Sequence, residues 1–214
     1  LVCASVGTTL LGYANTLSVT LADMIRHAAA VVRGVQRALV AVDMPFMTYQ
    51  ASIAQALRNG GLVIQRTGCQ ALKIEGGEFR APTIAALVQN GIPVLAHIGL
   101  TPQSIQVLGT RVQGRSDAAA RQLIADARAV EAAGAFAVVV ETVPAALGAE
   151  VTAAVKIPVI GIGAGPGCDG QILVINDILG LSGDFRPKFV KPYADLGAQI
   201  TAAVAAENSR IMGI

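Results

Sequence analysis

Short apolar runs alternate along the chain with longer stretches whose apolar positions recur three and four residues apart. The runs cover residues 1–6, 38–44, 71–74, 93–98, 135–140, 158–162 and, more weakly, 185–190. Each is apolar on both faces, the pattern of a strand buried on both sides in a parallel sheet. Helix signals lie between them. Thr20 followed by Asp23 forms a capping-box pattern opening a helix over 21–33. Thr101-Pro102 places a cap residue before an N1 proline. Ser116 precedes an Ala-rich helix over 117–133, with Leu123, Ala127 and Val130 on one stripe and Gly134 just past its end. Residues 171–179 end at Gly180, and 196–208 form a terminal helix.

The order is β-α-β-α throughout, with no linker, low-complexity tract or internal repeat. Such a chain builds either an open doubly wound sheet or a (β/α)8 barrel. Seven strands, and a chain that opens inside an apolar run with Leu1 rather than Met, predict an α/β (β/α)8 TIM barrel lacking its first βα unit. On this reading residues 1–214 are a single barrel domain, N-terminally incomplete. Ser5, Asp43, Glu75, His97 and Glu141 all fall at or just past proposed strand ends. Strand C-termini converge on one face of a barrel, where barrel enzymes assemble their sites.

Composition narrows the function classes. The chain is 53% hydrophobic and 14% charged, which excludes disorder. A net charge of +2, no Trp and 4% aromatic residues leave neither a basic stripe nor a stacking surface, so no nucleic-acid partner is expected. Residues 1–22 carry no charge, yet their Ser, Thr, Asn and Gly content and the lack of a preceding basic segment argue against membrane insertion. Cys3, Cys69 and Cys168 are far apart, the pattern of free thiols in a reducing cytoplasm.

The polar residues at the strand ends each admit two readings. Asp43 is either a turn residue or an oxygen ligand for a hard cation such as Mg2+. Alternation puts Lys73 and Glu75 on one strand face, as a structural ion pair or as part of a site. His97 alone is a weak signal, a satisfied core residue or a supporting one. Glu141 ends an apolar strand, where desolvation suits a carboxylate to act as general base; the alternative is a turn residue. In Gly161-Ile162-Gly163-Ala164-Gly165-Pro166-Gly167 the spacing fails for a dinucleotide fingerprint, because position 166 is Pro. These glycines suit close backbone approach to a ligand. The residues support a metal-assisted enzyme acting on a small oxyanion and leave the reaction unnamed.

Several ordered blocks then carry a resemblance. They include Thr16-Leu17-Ser18-Val19-Thr20-Leu21-Ala22-Asp23, Asp43-Met44-Pro45-Phe46-Met47, Lys73-Ile74-Glu75-Gly76-Gly77 and His97-Ile98-Gly99-Leu100-Thr101-Pro102-Gln103-Ser104. Val112-Gln113-Gly114-Arg115, Glu141-Thr142-Val143-Pro144, residues 157–170 and Pro187-Lys188-Phe189-Val190-Lys191 continue it. Nearly end to end, the chain resembles the ketopantoate hydroxymethyltransferase family, (β/α)8 barrels related to phosphoenolpyruvate mutase and isocitrate lyase. The resemblance implies transfer of a hydroxymethyl group from 5,10-methylenetetrahydrofolate to 3-methyl-2-oxobutanoate, giving ketopantoate for pantothenate biosynthesis. It implies Mg2+ and a large cytoplasmic homo-oligomer, a decamer among the forms. By the same resemblance Asp43 matches a Mg2+ and substrate ligand, Glu75 the other metal-site carboxylate and Lys73 a substrate-binding cation. Ser5 matches a substrate contact and Glu141 the proton acceptor.

One departure falls inside the site. Where the family reads Val-Gly-Asp-Ser-Leu-Gly-Met, this chain reads Val2-Cys3-Ala4-Ser5-Val6-Gly7-Thr8, so Ala4 takes the place of a metal-ligating aspartate. Ala14 and Ser18 replace a usual Asp and Pro. A methyl group cannot bind Mg2+, which leaves two alternatives to the family's own reaction. One is another superfamily enzyme making or breaking a C–C bond beside a 2-oxo acid. The other is a catalytically impaired barrel kept as a subunit.

Overall fold

A computed structural model describes residues 1–183 and 187–213. The chain divides into two compact units, Leu1–Ile172 and Leu173–Ile214.

The first unit alternates strands and helices in chain order: α1 (Val6–Thr9), α2 (Leu21–Gly34), β1 (Ala41–Asp43), α3 (Ile53–Thr67), β2 (Ala71–Glu75), α4 (Ala81–Gln89), β3 (Val94–Gly99), α5 (Ile105–Leu108), α6 (Asp117–Ala132), β4 (Ala137–Glu141), α7 (Ala145–Ala154), β5 (Val159–Ile162) and β6 (Gly170–Gln171). All neighbouring strands are parallel, and the sheet order is β1-β2-β3-β4-β5-β6. A doubly wound sheet reverses its strand order at a switch point. This one never reverses, so it is a curled α/β half-barrel of the TIM type. Register contributes to the curl: Asp43 pairs with Lys73, Glu75 with His97, and Gly99 with Glu141, so aligned positions advance along the strands as a barrel's stagger requires.

Five of the seven expected strands form at or within their runs, extended by one residue at Glu75, Gly99 and Glu141. The run 1–6 is corrected: only Val2 bridges, to Val42, before the chain turns at Ala4-Ser5 into α1. The weak run 185–190 begins outside the described residues, and its described part, 187–190, contains no strand. In its place Gly170–Gln171 adds a short strand too polar to register as an apolar run.

Alternation sorts the strand residues into two layers. Val42, Leu72, Ile74, Ala96, Ile98, Val138 and Val140 join α-helical residues such as Met24, Val63, Leu87 and Val130 in one apolar core. Ala41, Ala71, Leu95, Ala137 and Val139 form a second, smaller cluster on the opposite face. That inner cluster is the floor beneath the polar strand ends. The second unit holds α8 (Ile175–Leu179), closed by Gly180 in the left-handed region, and α9 (Leu196–Met212), which runs four residues past the expected end.

The expected caps are mostly present. Ser116 caps α6 through the Ala119 N–H. Thr101 makes no side-chain cap, and Pro102 instead opens a 3-10 turn, Pro102–Ser104. At α2 the Thr20 hydroxyl accepts the Asp23 N–H at 3.2 Å, while the Asp23 carboxylate accepts the Thr20 N–H at 3.0 Å. Those Thr20 hydrogen bonds hold the Asp23 carboxyl below its ordinary range. A depressed pKa stabilises the fold above the usual carboxylate range, and that part is lost as pH falls through the lowered value. Thr20→Ala is therefore expected to cost about 1 kcal/mol in urea unfolding at pH 7. The difference from the parent protein should shrink as pH falls through that lowered value, where the parent's Asp23 carboxylate takes up its proton.

Candidate active site

The inner face carries charge on four adjacent strands. Asp43, Glu75 and Glu141 end β1, β2 and β4, and His97 lies two residues before the end of β3. Lys73, two residues before Glu75, projects to the same side, as the alternation predicts. Its ammonium lies 3.1 Å from Asp43 Oδ1 and 2.9 Å from Glu75 Oε1. His97 Nδ1 is 3.6 Å from the same Glu75 oxygen, and its Nε2 is 3.2 Å from Glu141 Oε2. Neither ring nitrogen is aligned for a hydrogen bond. Asp43, Lys73, Glu75 and His97 are almost wholly buried, whereas the Glu141 side chain is 18% exposed. The row is closed at one end and open to solvent at Glu141.

Burial works against every charge here, and the neighbours decide each outcome. Desolvation pushes the Asp43 carboxyl up; Lys73 opposes it and Glu75 adds to it. Burial acts the same way on Glu75, but Lys73 and His97 override it and hold Glu75 below the usual range. Lys73 is held charged against burial by the Asp43 and Glu75 carboxylates. For His97, burial and Lys73 favour the neutral ring, but Glu141 and Glu75 outweigh them and its pKa rises. Counting ionised side chains, one lysine faces three carboxylates, a net of −2 that a protonated His97 lowers to −1 and a divalent cation would cancel.

The structure also brings in residues that strand-end reasoning missed. Cys3 Sγ lies 3.2 Å from Asp43 Oδ2 and 3.8 Å from Lys73 Nζ. Burial pushes its thiol pKa up to about 12, so it is a neutral donor to Asp43. Gln103, after β3, donates its backbone N–H to Glu75 Oε2 at 2.9 Å. Its side chain reaches Asp43 and Met44, and accepts from the buried Tyr49. A buried Tyr and Gln in loops give no periodic signal. The motif Thr101-Pro102-Gln103-Ser104 was the one available hint. Ser5, by contrast, makes no side-chain hydrogen bond to the row; its carbonyl accepts the Thr8 and Thr9 hydroxyls at the start of α1. Ala4 contributes only its backbone N–H, 2.9 Å from Asp43 Oδ2, and its buried methyl belongs to the apolar core.

The backbone around Glu141 is tightly set. Gly99 has φ +88, and a Cβ there would collide with the Glu141 carbonyl oxygen. Thr142 takes φ +52, costly for a β-branched residue. Its N–H donates to Ile162 O and its carbonyl accepts the Gln113 N–H. Two glycines of 161–167 have a packing reason: a Cβ on Gly165 or Gly167 would run into Ala145 or Ala149 of α7.

Two carboxylates on adjacent strands suit Mg2+, a hard cation that usually takes one or two carboxylates and keeps water and substrate oxygens. Asp43 and Glu75 are two carboxylates placed on adjacent strands in this way. Among the described residues no three of His, Cys, Asp or Glu converge as an all-protein cage.

A family model described as ketopantoate hydroxymethyltransferase matches residues 1–211. The chain belongs to the ketopantoate hydroxymethyltransferase family. The 3-methyl-2-oxobutanoate hydroxymethyltransferase of Ruegeria sp. (strain TM1040) is 57% identical over 212 residues, covering 99% of this chain and 75% of that protein. The enzyme of the same name from Geotalea daltonii is 57% identical over 202 residues, covering 94% and 76%. Relatives of this kind are transferases. Among solved structures, 2,3-dimethylmalate lyase, a PEP mutase/isocitrate lyase superfamily member, matches with TM-score 0.57 at 21% identity, covering 99% of this chain and 73% of its own. Phosphonopyruvate hydrolase matches with TM-score 0.56 at 15% identity, covering 99% and 75%. These two likenesses are of fold. No helix among the described residues is long and apolar enough to cross a membrane.

Removing the shared lysine leaves two carboxylates buried without their cation. Lys73→Met is expected to destabilise the protein by about 3–5 kcal/mol, read as a lowered urea midpoint. Adding Asp43→Asn should recover part of that loss. A single variant as stable as the parent would show that Lys73 does not neutralise these groups.

Proposed function

We propose that this chain transfers a hydroxymethyl group from 5,10-methylenetetrahydrofolate to 3-methyl-2-oxobutanoate, giving ketopantoate in pantothenate biosynthesis. The observation that carries the reading is the row itself: a buried Asp43-Lys73-Glu75 cluster beside a partly exposed Glu141. The cluster provides cation-binding and anion-binding groups for a 2-oxo acid. Glu141 provides a base at the open end. That the chain's relatives are 3-methyl-2-oxobutanoate hydroxymethyltransferases supports hydroxymethyl transfer to this 2-oxo acid.

On this reading Asp43 and Glu75 hold Mg2+, which when bound polarises the substrate's keto group. Lys73 offsets negative charge on the substrate. Glu141 takes the C3 proton, leaving the electron pair of the broken C–H bond as an enolate. The enolate carbon forms a bond to the folate-borne methylene carbon, both of that carbon's bonds to folate nitrogen break, and a water supplies the product hydroxyl as tetrahydrofolate leaves. His97 supports Glu141 from 3.2 Å, and Ser5 contacts substrate from the start of α1. The fold presents these groups at one end of a curled, six-stranded parallel half-barrel.

Glu141→Gln is expected to slow exchange of the C3 proton of 3-methyl-2-oxobutanoate in D2O, without folate, by about 10²–10⁴-fold. Equal exchange in variant and parent sinks the base assignment. No exchange in the parent at any Mg2+ concentration favours the non-catalytic subunit, and exchange of a different 2-oxo acid favours another superfamily activity.

Ala4 motivates the impaired reading specifically, because its side chain offers no oxygen and is buried in the apolar core. Ala4→Asp is expected to tighten Mg2+ binding about tenfold, or 1.4 kcal/mol, by titration calorimetry. Identical affinities in the two proteins would mean that position 4 has no part in holding the ion here.

A further inference from the structure

We propose that Gln103 is the positioning residue of this site, setting the orientation of both carboxylates, Asp43 and Glu75, from a loop that belongs to neither strand. The proposal rests on the reading of these two residues as the metal-binding pair.

Gln103 uses its hydrogen-bonding capacity in full. Its amide nitrogen donates to Met44 O at 2.8 Å and to Asp43 Oδ1 at 3.4 Å. Its amide oxygen accepts from Tyr49 OH at 2.9 Å and from Gln50 Nε2 at 2.9 Å. Two donors and two lone pairs are all that a glutamine side chain offers. Its backbone N–H holds Glu75 Oε2 at 2.9 Å. One residue, 5% exposed, therefore contacts one oxygen of each carboxylate.

The partners also fix which way the amide faces. Tyr49 OH accepts the Glu75 N–H at 3.2 Å, and its single proton has the shorter path to Gln103 Oε1, at 2.9 Å, than to Glu75 O, at 3.4 Å. Met44 O can only accept. Both conditions place the oxygen toward Tyr49 and the nitrogen toward Asp43. Neighbouring strands give Asp43 and Glu75 a shared lysine, but Lys73 is a point charge that does not specify carboxylate rotation. Directional donors do, and Gln103 provides one to each.

A residue that only anchored its loop would affect stability alone. A positioning residue also changes cation affinity and turnover. The test uses the full chain as parent, Gln103→Leu and Tyr49→Phe. Calorimetric Mg2+ titration is combined with kcat and KM for both substrates, and circular dichroism checks folding.

Gln103→Leu is expected to weaken Mg2+ binding about tenfold and lower kcat about tenfold, while KM for the folate substrate stays within twofold. Tyr49→Phe keeps the ring's packing and removes only the hydroxyl; a loss of about threefold in both quantities is expected. If Gln103→Leu does not fold, Tyr49→Phe decides alone. Folded variants with Mg2+ affinity and kcat within twofold of the parent overturn the proposal while leaving the functional reading intact. A parent protein without measurable Mg2+ affinity overturns the metal reading and the positioning role together.

Discussion

A lysine buried between two carboxylates is the constraint on which this structure turns. Removing one charge from water costs several kcal/mol even after relaxation, and here Asp43, Lys73 and Glu75 are all buried. The arrangement is tolerable because sign alternates along the row and because backbone N–H groups of Ala4 and Gln103 meet the carboxylates. Each charge lacks its water and finds a partner at 2.9 to 3.1 Å instead.

Much of the first unit follows from that requirement. Parallel strands in sequential order bring Asp43, Glu75 and Glu141 to one end of the sheet. The stagger lets Asp43 face Lys73 while Glu75 faces His97. Beneath them the inner face is mostly alanine and valine, which fills the floor without crowding the row. The apolar face of the same strands packs on helices and carries most of the core. The result is a site whose deep end is rigid and charge-compensated and whose outer end, Glu141, is open to solvent.

The strands and the capping box at α2 were legible because each depends on neighbours in sequence: an apolar run, or a Thr three residues before an Asp. The strand-end residues were legible for a similar reason, since a barrel turns strand termini into a rim. The failures are equally specific. Residues 1–6 are apolar enough for a strand, yet only Val2 bridges, because the chain turns at Ala4-Ser5 into α1. At Gly165 and Gly167 nothing in the local sequence signalled the tight packing against α7 that leaves no room for a Cβ. Tyr49 and Gln103 were invisible as site residues because nothing local distinguishes them. Their role exists only once loops 54 residues apart meet at the sheet's end.

Sequence alone therefore determined the βα order, the family and the identity of the charged residues at the strand ends, because periodicity and motif spacing are local properties. Tertiary structure decided how those charges are shared. It placed one lysine between two carboxylates, kept Cys3 a thiol, turned the Ala4 side chain into the core and recruited Gln103 and Tyr49. Those outcomes depend on burial and on distances between separate elements, and burial is what makes each hydrogen bond and each charge matter.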